Sequence, residues 1–263
     1  MAHRGNANRA GDRARRSRTN CFRIPSGLPL RAPIAVRRRV GTHALTFLVE
    51  RPLPGFFHAC TLDDICGVLE LVPPGDLQRV RLILLNMPTR KQQIFRSVWG
   101  RAIYFARWGR WQGPAITLEA QPQDLVIRWG RSVPPECAAE LERLRRDGHR
   151  VTLERGRWRI ETSPAATRNT QLFHTLLHEL GHHVDYVRSV LRPSDWWENA
   201  ALARSLDRAY FARPTREKEL FADRYADELG ARIGARFPSR FDVAAMRACA
   251  LDPAWFRPSA GGR

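Results

Sequence analysis

The chain has 263 residues, of which 43% are hydrophobic, including 8 Trp and 12 Phe. That composition suffices for a buried core and excludes a disordered or fibrous protein. The formal net charge is +18, and no apolar run approaches the roughly 20 residues of a membrane span, so the sequence reads as soluble. The stretch Ile24 to Val36 is broken by Pro25, Gly27, Pro29, Arg31 and Pro33. It offers no smooth apolar core for a signal peptide, and a cytoplasmic location is expected. Five cysteines (Cys21, Cys60, Cys66, Cys137, Cys249) are scattered without a C-x-x-C pair, which argues against a disulfide framework and against a cysteine metal site.

Residues 1–40 contain 11 Arg and one Asp. They are expected to form a disordered basic segment, able to contact nucleic acid or another anionic surface. Order begins near Gly41. Thr42 to Val49 reads as a strand, and Leu62 to Leu71 as a helix capped by Thr61 or Asp63 and stopped by Pro73-Pro74. Val80 to Leu85, Ala102 to Trp108, Ala115 to Leu118 and Leu125 to Trp129 are further strand candidates. Pro134 to Arg146 has helical spacing. Arg150 to Glu154 and Arg157 to Glu161 flank Gly156 as a hairpin. Helical patterns then run over Thr167 to Leu191, Ser194 to Phe211, Thr215 to Arg236 and Phe241 to Ala250, punctuated by Pro193, Pro214 and Pro238.

The first of these late helices contains His178-Glu179-Leu180-Gly181-His182. Residues four apart share a helix face, so both imidazoles can reach one tetrahedral zinc ion. Glu179 can then stand beside the ion as a general base for a zinc-activated water. Leu172, Leu176, Leu180, Val184 and Val187 form the stripe that buries the helix. A third ligand must come from elsewhere. A histidine six residues after His182 is excluded, because Arg188 occupies that position. Glu219 in Glu219-Leu220-Phe221-Ala222-Asp223 supplies the ligand instead. Asp223, four residues on, is positioned to accept the free ring N–H of His178. Small Ala222 and Ala226 would let the two helices approach closely. Glu217 competes for the ligand role but turns to the opposite side of its helix, and His174 is a further alternative. His183 points about 100° away, and Asp185 is expected to bond locally. Trp196-Trp197 are candidates for lining a pocket.

The pair H-E-L-G-H and E-L-F-A-D resembles the gluzincin group of zinc peptidases. H-E-L-G-H-H-V-D-Y with E-L-F-A-D is similar to lethal-factor-like peptidase domains, and E-L-F-A-D-R-Y-A-D-E-L to the ImmA/IrrE group of regulatory HExxH proteins. The resemblance covers roughly Thr167 to Leu229. It implies a substrate strand before the active helix, expected here in the 150–162 hairpin. It also implies a tyrosine that stabilises the oxyanion, for which Tyr210 is the candidate.

The expected fold is α+β and zincin-like, with a basic segment 1–40, a mixed α/β subdomain 41–165 and a helical catalytic subdomain 166–263. The expected function is zinc-dependent hydrolysis of a polypeptide substrate. The alternative is a regulatory, DNA-associated HExxH protein that inactivates a specific repressor or another bound protein.

Overall fold

The computed structural model describes residues 30–89, 99–132, 135–194, 199–234 and 251–256. Ten strands are described: β1 (Ile34–Val40), β2 (His43–Val49), β3 (Phe56–Phe57), β4 (Leu82–Asn86), β5 (Gly100–Trp108), β6 (Trp111–Glu119), β7 (Gln121–Pro122), β8 (Val126–Gly130), β9 (Arg150–Glu154) and β10 (Arg157–Glu161). Helices α1 (Leu62–Glu70), α2 (Pro74–Leu77) and α3 (Pro135–Arg146) lie among them. A mainly helical part follows, so the architecture is α+β. The predicted helix Phe241 to Ala250 and the pair Trp196-Trp197 lie outside the described residues.

The main sheet has the order β1-β2-β4-β6-β5 and is mixed. β2, β4 and β6 run parallel, and β1 and β5 flank them antiparallel. β1 corrects one expectation: Ile34–Val40, assigned by composition to a disordered segment, pairs along β2 from Ile34↔Val49 to Val40↔His43. Its alternation is legible in the result. Arg37 and Arg39 are exposed while Val40 is buried, and charge on an edge strand discourages pairing with other chains. A second sheet, β8-β10-β9, contains the expected hairpin. Its turn uses Arg155 and Gly156, both at positive φ, as a two-residue hairpin turn requires.

Thr61, rather than Asp63, caps α1. Its hydroxyl accepts from the Asp64 N–H while the Asp64 carboxylate accepts from the Thr61 N–H, a reciprocal capping box.

The long C-terminal helix starts at Ser163, whose hydroxyl accepts from Ala166 N–H, with Pro164 in the first turn. It runs through α4 (Pro164–Thr170), a π-turn (Gln171–Thr175), α5 (Leu176–Tyr186), a second π-turn (Val187–Leu191) and α6 (Arg192–Ser194). Helices α7 (Ala200–Ala212) and α8 (Thr215–Gly234) complete the described elements, apart from a 3-10 turn at Pro253–Trp255.

Leu172, Leu176, Leu177, Leu180 and Val184 share one core with Val49, Ile83, Leu85, Ile116 and Leu118 of the sheet and with Ala226 and Leu229 of α8. Each buried Leu, Ile or Val among these contributes about 1.5–3 kcal/mol. The sheet and the helical part are thus joined by a continuous apolar layer. The buried pair Arg168–Asp64, with contacts of 2.7 and 3.2 Å, fixes α4 against α1.

Candidate metal centre

Packing of α8 against α5 builds the site. A Cβ on Gly181 would stand 3.0 Å from Ala222 Cα and 3.2 Å from Tyr225 Cβ. One on Gly230 would stand 2.4 Å from the Phe173 carbonyl oxygen. Two glycines, one on each helix, therefore set the approach, and Ala222 and Ala226 lie fully buried in the seam.

The seam brings three potential ligands together. His178 Nε2 lies 3.1 Å from His182 Nε2 and 3.3 Å from Glu219 Oε2, and His182 Nε2 lies 3.6 Å from Glu219 Oε1. Asp223 Oδ1 lies 3.0 Å from the other ring nitrogen of His178. His178, Glu179 and His182 form a group able to hold a metal ion, and His174, His178 and Asp223 form another.

Glu179 is turned toward the sheet, where its Oε2 accepts the Ala102 N–H of edge strand β5 at 2.7 Å. Burial pushes its carboxyl up to about 7, and the Glu219 charge adds to this, while His178, the Ala102 N–H and Arg101 act downward. A carboxyl with that pKa is poised to exchange a proton near neutral pH. Burial acts downward on His178, but hydrogen bonds to Asp223 and Glu219 outweigh it and carry its pKa up to about 10. His182, buried and next to the His178 charge, is pushed well down.

Other predicted residues sit elsewhere. Tyr210 is 1% exposed. Its hydroxyl meets the Tyr104 hydroxyl at 3.0 Å and donates to the His182 carbonyl at 3.4 Å. It stands in a hydrophobic cluster with Tyr104, Tyr186 and Val190, against the backbone of the helix that carries His178 and His182. His183 is fully buried, and its Nε2 donates to the Ala115 carbonyl of β6 at 2.9 Å. Asp185 bonds Ser189 Oγ and Arg213. Glu217 is exposed and pairs with Arg213 at 3.6 Å.

The strand bordering the helix of His178 and His182 is β5, not a strand of the 150–162 hairpin, which belongs to the separate sheet. Ala102 to Trp108 was legible as a strand; its place at the sheet edge depends on strand order, which no local pattern encodes. The Ala102 backbone group is the contribution that residue-type reasoning missed.

Comparisons of the chain with protein-family models, with curated proteins and with solved structures find no match. Among the described residues, no helix is long and apolar enough to cross a membrane.

Proposed function

We propose that the chain is a zinc-dependent metallopeptidase of gluzincin type, with His178, His182 and Glu219 as ligands and Glu179 as general base. The observation that carries this reading is the convergence of two imidazoles, their Nε2 atoms 3.1 Å apart, on the Glu219 carboxylate, with one oxygen 3.3 Å from His178 and the other 3.6 Å from His182. Tetrahedral zinc with bonds of about 2.0–2.2 Å to nitrogen and oxygen separates its ligands by about 3.3–3.6 Å. The donor set thus fits the ion with little movement, and two imidazoles plus one carboxylate leave a fourth position for substrate or water.

Bound zinc supplies a Lewis acid that lowers the pKa of a water and polarises a carbonyl. Glu179 would serve as the general base toward an attacking water and then as the acid toward the leaving amine. The Ala102 N–H holds one carboxylate oxygen, so the other is left to make these transfers. Asp223 fixes the ring of His178 and raises its basicity as a ligand.

β5 is the sheet edge beside this carboxylate, and an extended peptide can add to such an edge through main-chain hydrogen bonds. An antiparallel edge strand alongside an HExxH helix supports a zincin-like reading of the fold. Tyr210 receives no step.

The test is hydrolysis of a fluorogenic peptide library by the purified chain. Turnover should disappear with a chelator, return on addition of zinc, and be absent in Glu179→Gln. Turnover that persists in the chelated protein removes the reading.

A further inference from the structure

His178 presents its two ring nitrogens to two different carboxylates, and this creates a second group of donors behind the principal one. Nε2 faces Glu219 at 3.3 Å, whereas Nδ1 faces Asp223 at 3.0 Å. On the Asp223 side stands His174, whose ring centroid is 5.5 Å from that of His178. One ligand atom from each of His174, His178 and Asp223 lies within 4.8 Å of the other two. His174 reaches this position from the π-turn Gln171–Thr175, one step before α5 begins. The three side chains are neither fully buried nor fully exposed, and Asp223 retains 37% of its side-chain exposure. Water can therefore complete a coordination sphere.

We propose that His174, His178 through Nδ1, and Asp223 form an auxiliary site for a second divalent cation of zinc-like preference. The inference rests on His178, His182 and Glu219 being the principal metal site. Two imidazoles and a carboxylate are the donor types that borderline cations select. An imidazole can bind one ion through each nitrogen once its N–H proton is lost. Entry of the ion forms the bond to Nδ1, and the proton displaced from that nitrogen leaves to solvent. Arg143 of α3, which pairs with Glu140 at 2.7 Å, also lies close enough to Asp223 to feel its charge. That cation opposes a second ion beside Asp223, so the auxiliary site is the weaker of the two. Its filling exchanges the Asp223 hydrogen bond on His178 for a metal bond and so couples the two sites.

Titration of the metal-free full chain with Zn2+ alone, with bound metal counted after separation of free ions, tests this. Wild type should bind two ions of unequal affinity. His174→Ala and His174→Gln should each lose the weaker ion and keep the tighter one. His182→Ala should lose the tighter ion and keep the weaker one. Circular dichroism of each variant verifies that it is folded. A wild type that binds one ion, lost in His182→Ala and kept in His174→Ala, overturns the auxiliary site and leaves the principal site standing. A single ion lost in His174→Ala and kept in His182→Ala overturns both assignments. Two ions retained in both His174 variants also overturn the auxiliary site.

Discussion

The backbone N–H of Ala102 donates to Glu179 Oε2 at 2.7 Å, so the edge strand itself anchors the carboxylate beside the candidate metal-binding histidines. The anchor uses an acceptor that a carboxamide oxygen also provides. Glu179→Gln should therefore leave the fold and the metal content unchanged while removing the base. Loss of a positioned general base lowers turnover by about 10²–10⁴-fold. Metal analysis together with kcat on a cleaved peptide checks this, and retained turnover would contradict the assignment.

Glu219 and Asp223 act on the same histidine from different sides, and their variants should separate. Glu219→Ala removes a ligand and should abolish stable zinc binding at the principal site. Asp223→Asn leaves all three ligands in place but weakens orientation of the His178 ring. Outer-sphere partners of this kind change metal affinity by about 10–100-fold. Competition with a chromogenic chelator measures both. Full zinc affinity in Glu219→Ala would remove it from the ligand set.

Gly181 leaves little room for a side chain. A Cβ there meets Ala222 Cα at 3.0 Å and Tyr225 Cβ at 3.2 Å, and α8 has to give by a few tenths of an ångström to admit it. Overpacking of this kind costs about 1–3 kcal/mol, and the shift carries Glu219 away from the histidines. Gly181→Ala should thus lose both stability in urea and zinc affinity, whereas Gly234→Ala, with nothing near its Cβ, should lose neither.

His58 offers a pH-dependent contribution far in sequence from the candidate metal centre. It is buried, and its Nε2 donates to the Glu50 carbonyl at 2.7 Å. Burial lowers its pKa from 6.5 to about 4, with the Glu50 hydrogen bond acting upward. The unfolded chain then binds the extra proton between pH 6.5 and about 4, so this stability is present above pH 6.5 and is lost as pH falls through that window. At about 1.4 kcal/mol per pH unit the loss approaches about 3 kcal/mol. Glu119 and Glu179, both pushed up to about 7 by burial, act in the opposite sense. The difference between wild type and His58→Gln isolates the histidine. In urea unfolding of both across pH 4 to 7, wild type should lose stability relative to His58→Gln toward the acid end, and parallel curves would contradict the prediction.

Most of the donor set can be read from spacing. His178 and His182, and likewise Glu219 and Asp223, are four residues apart, and a helix places such pairs on one face whatever surrounds it. The small residues between them mark close helix packing. Strand candidates were equally legible as elements, because alternation and turn residues are local signals. The basic composition of residues 1–40 misled for Ile34–Val40: charge reported the exposed side of an edge strand, and pairing with β2 supplied the order.

Tertiary structure alone decided where those elements lie relative to the site. The sheet order β1-β2-β4-β6-β5 made β5 the strand beside Glu179, and that order arises from contacts distant in sequence. The same packing turned the Tyr210 hydroxyl toward the His182 carbonyl and gave His178 a carboxylate on each ring nitrogen. Helical periodicity fixes which residues share a face. Only the packing of one face on another fixes what that face meets.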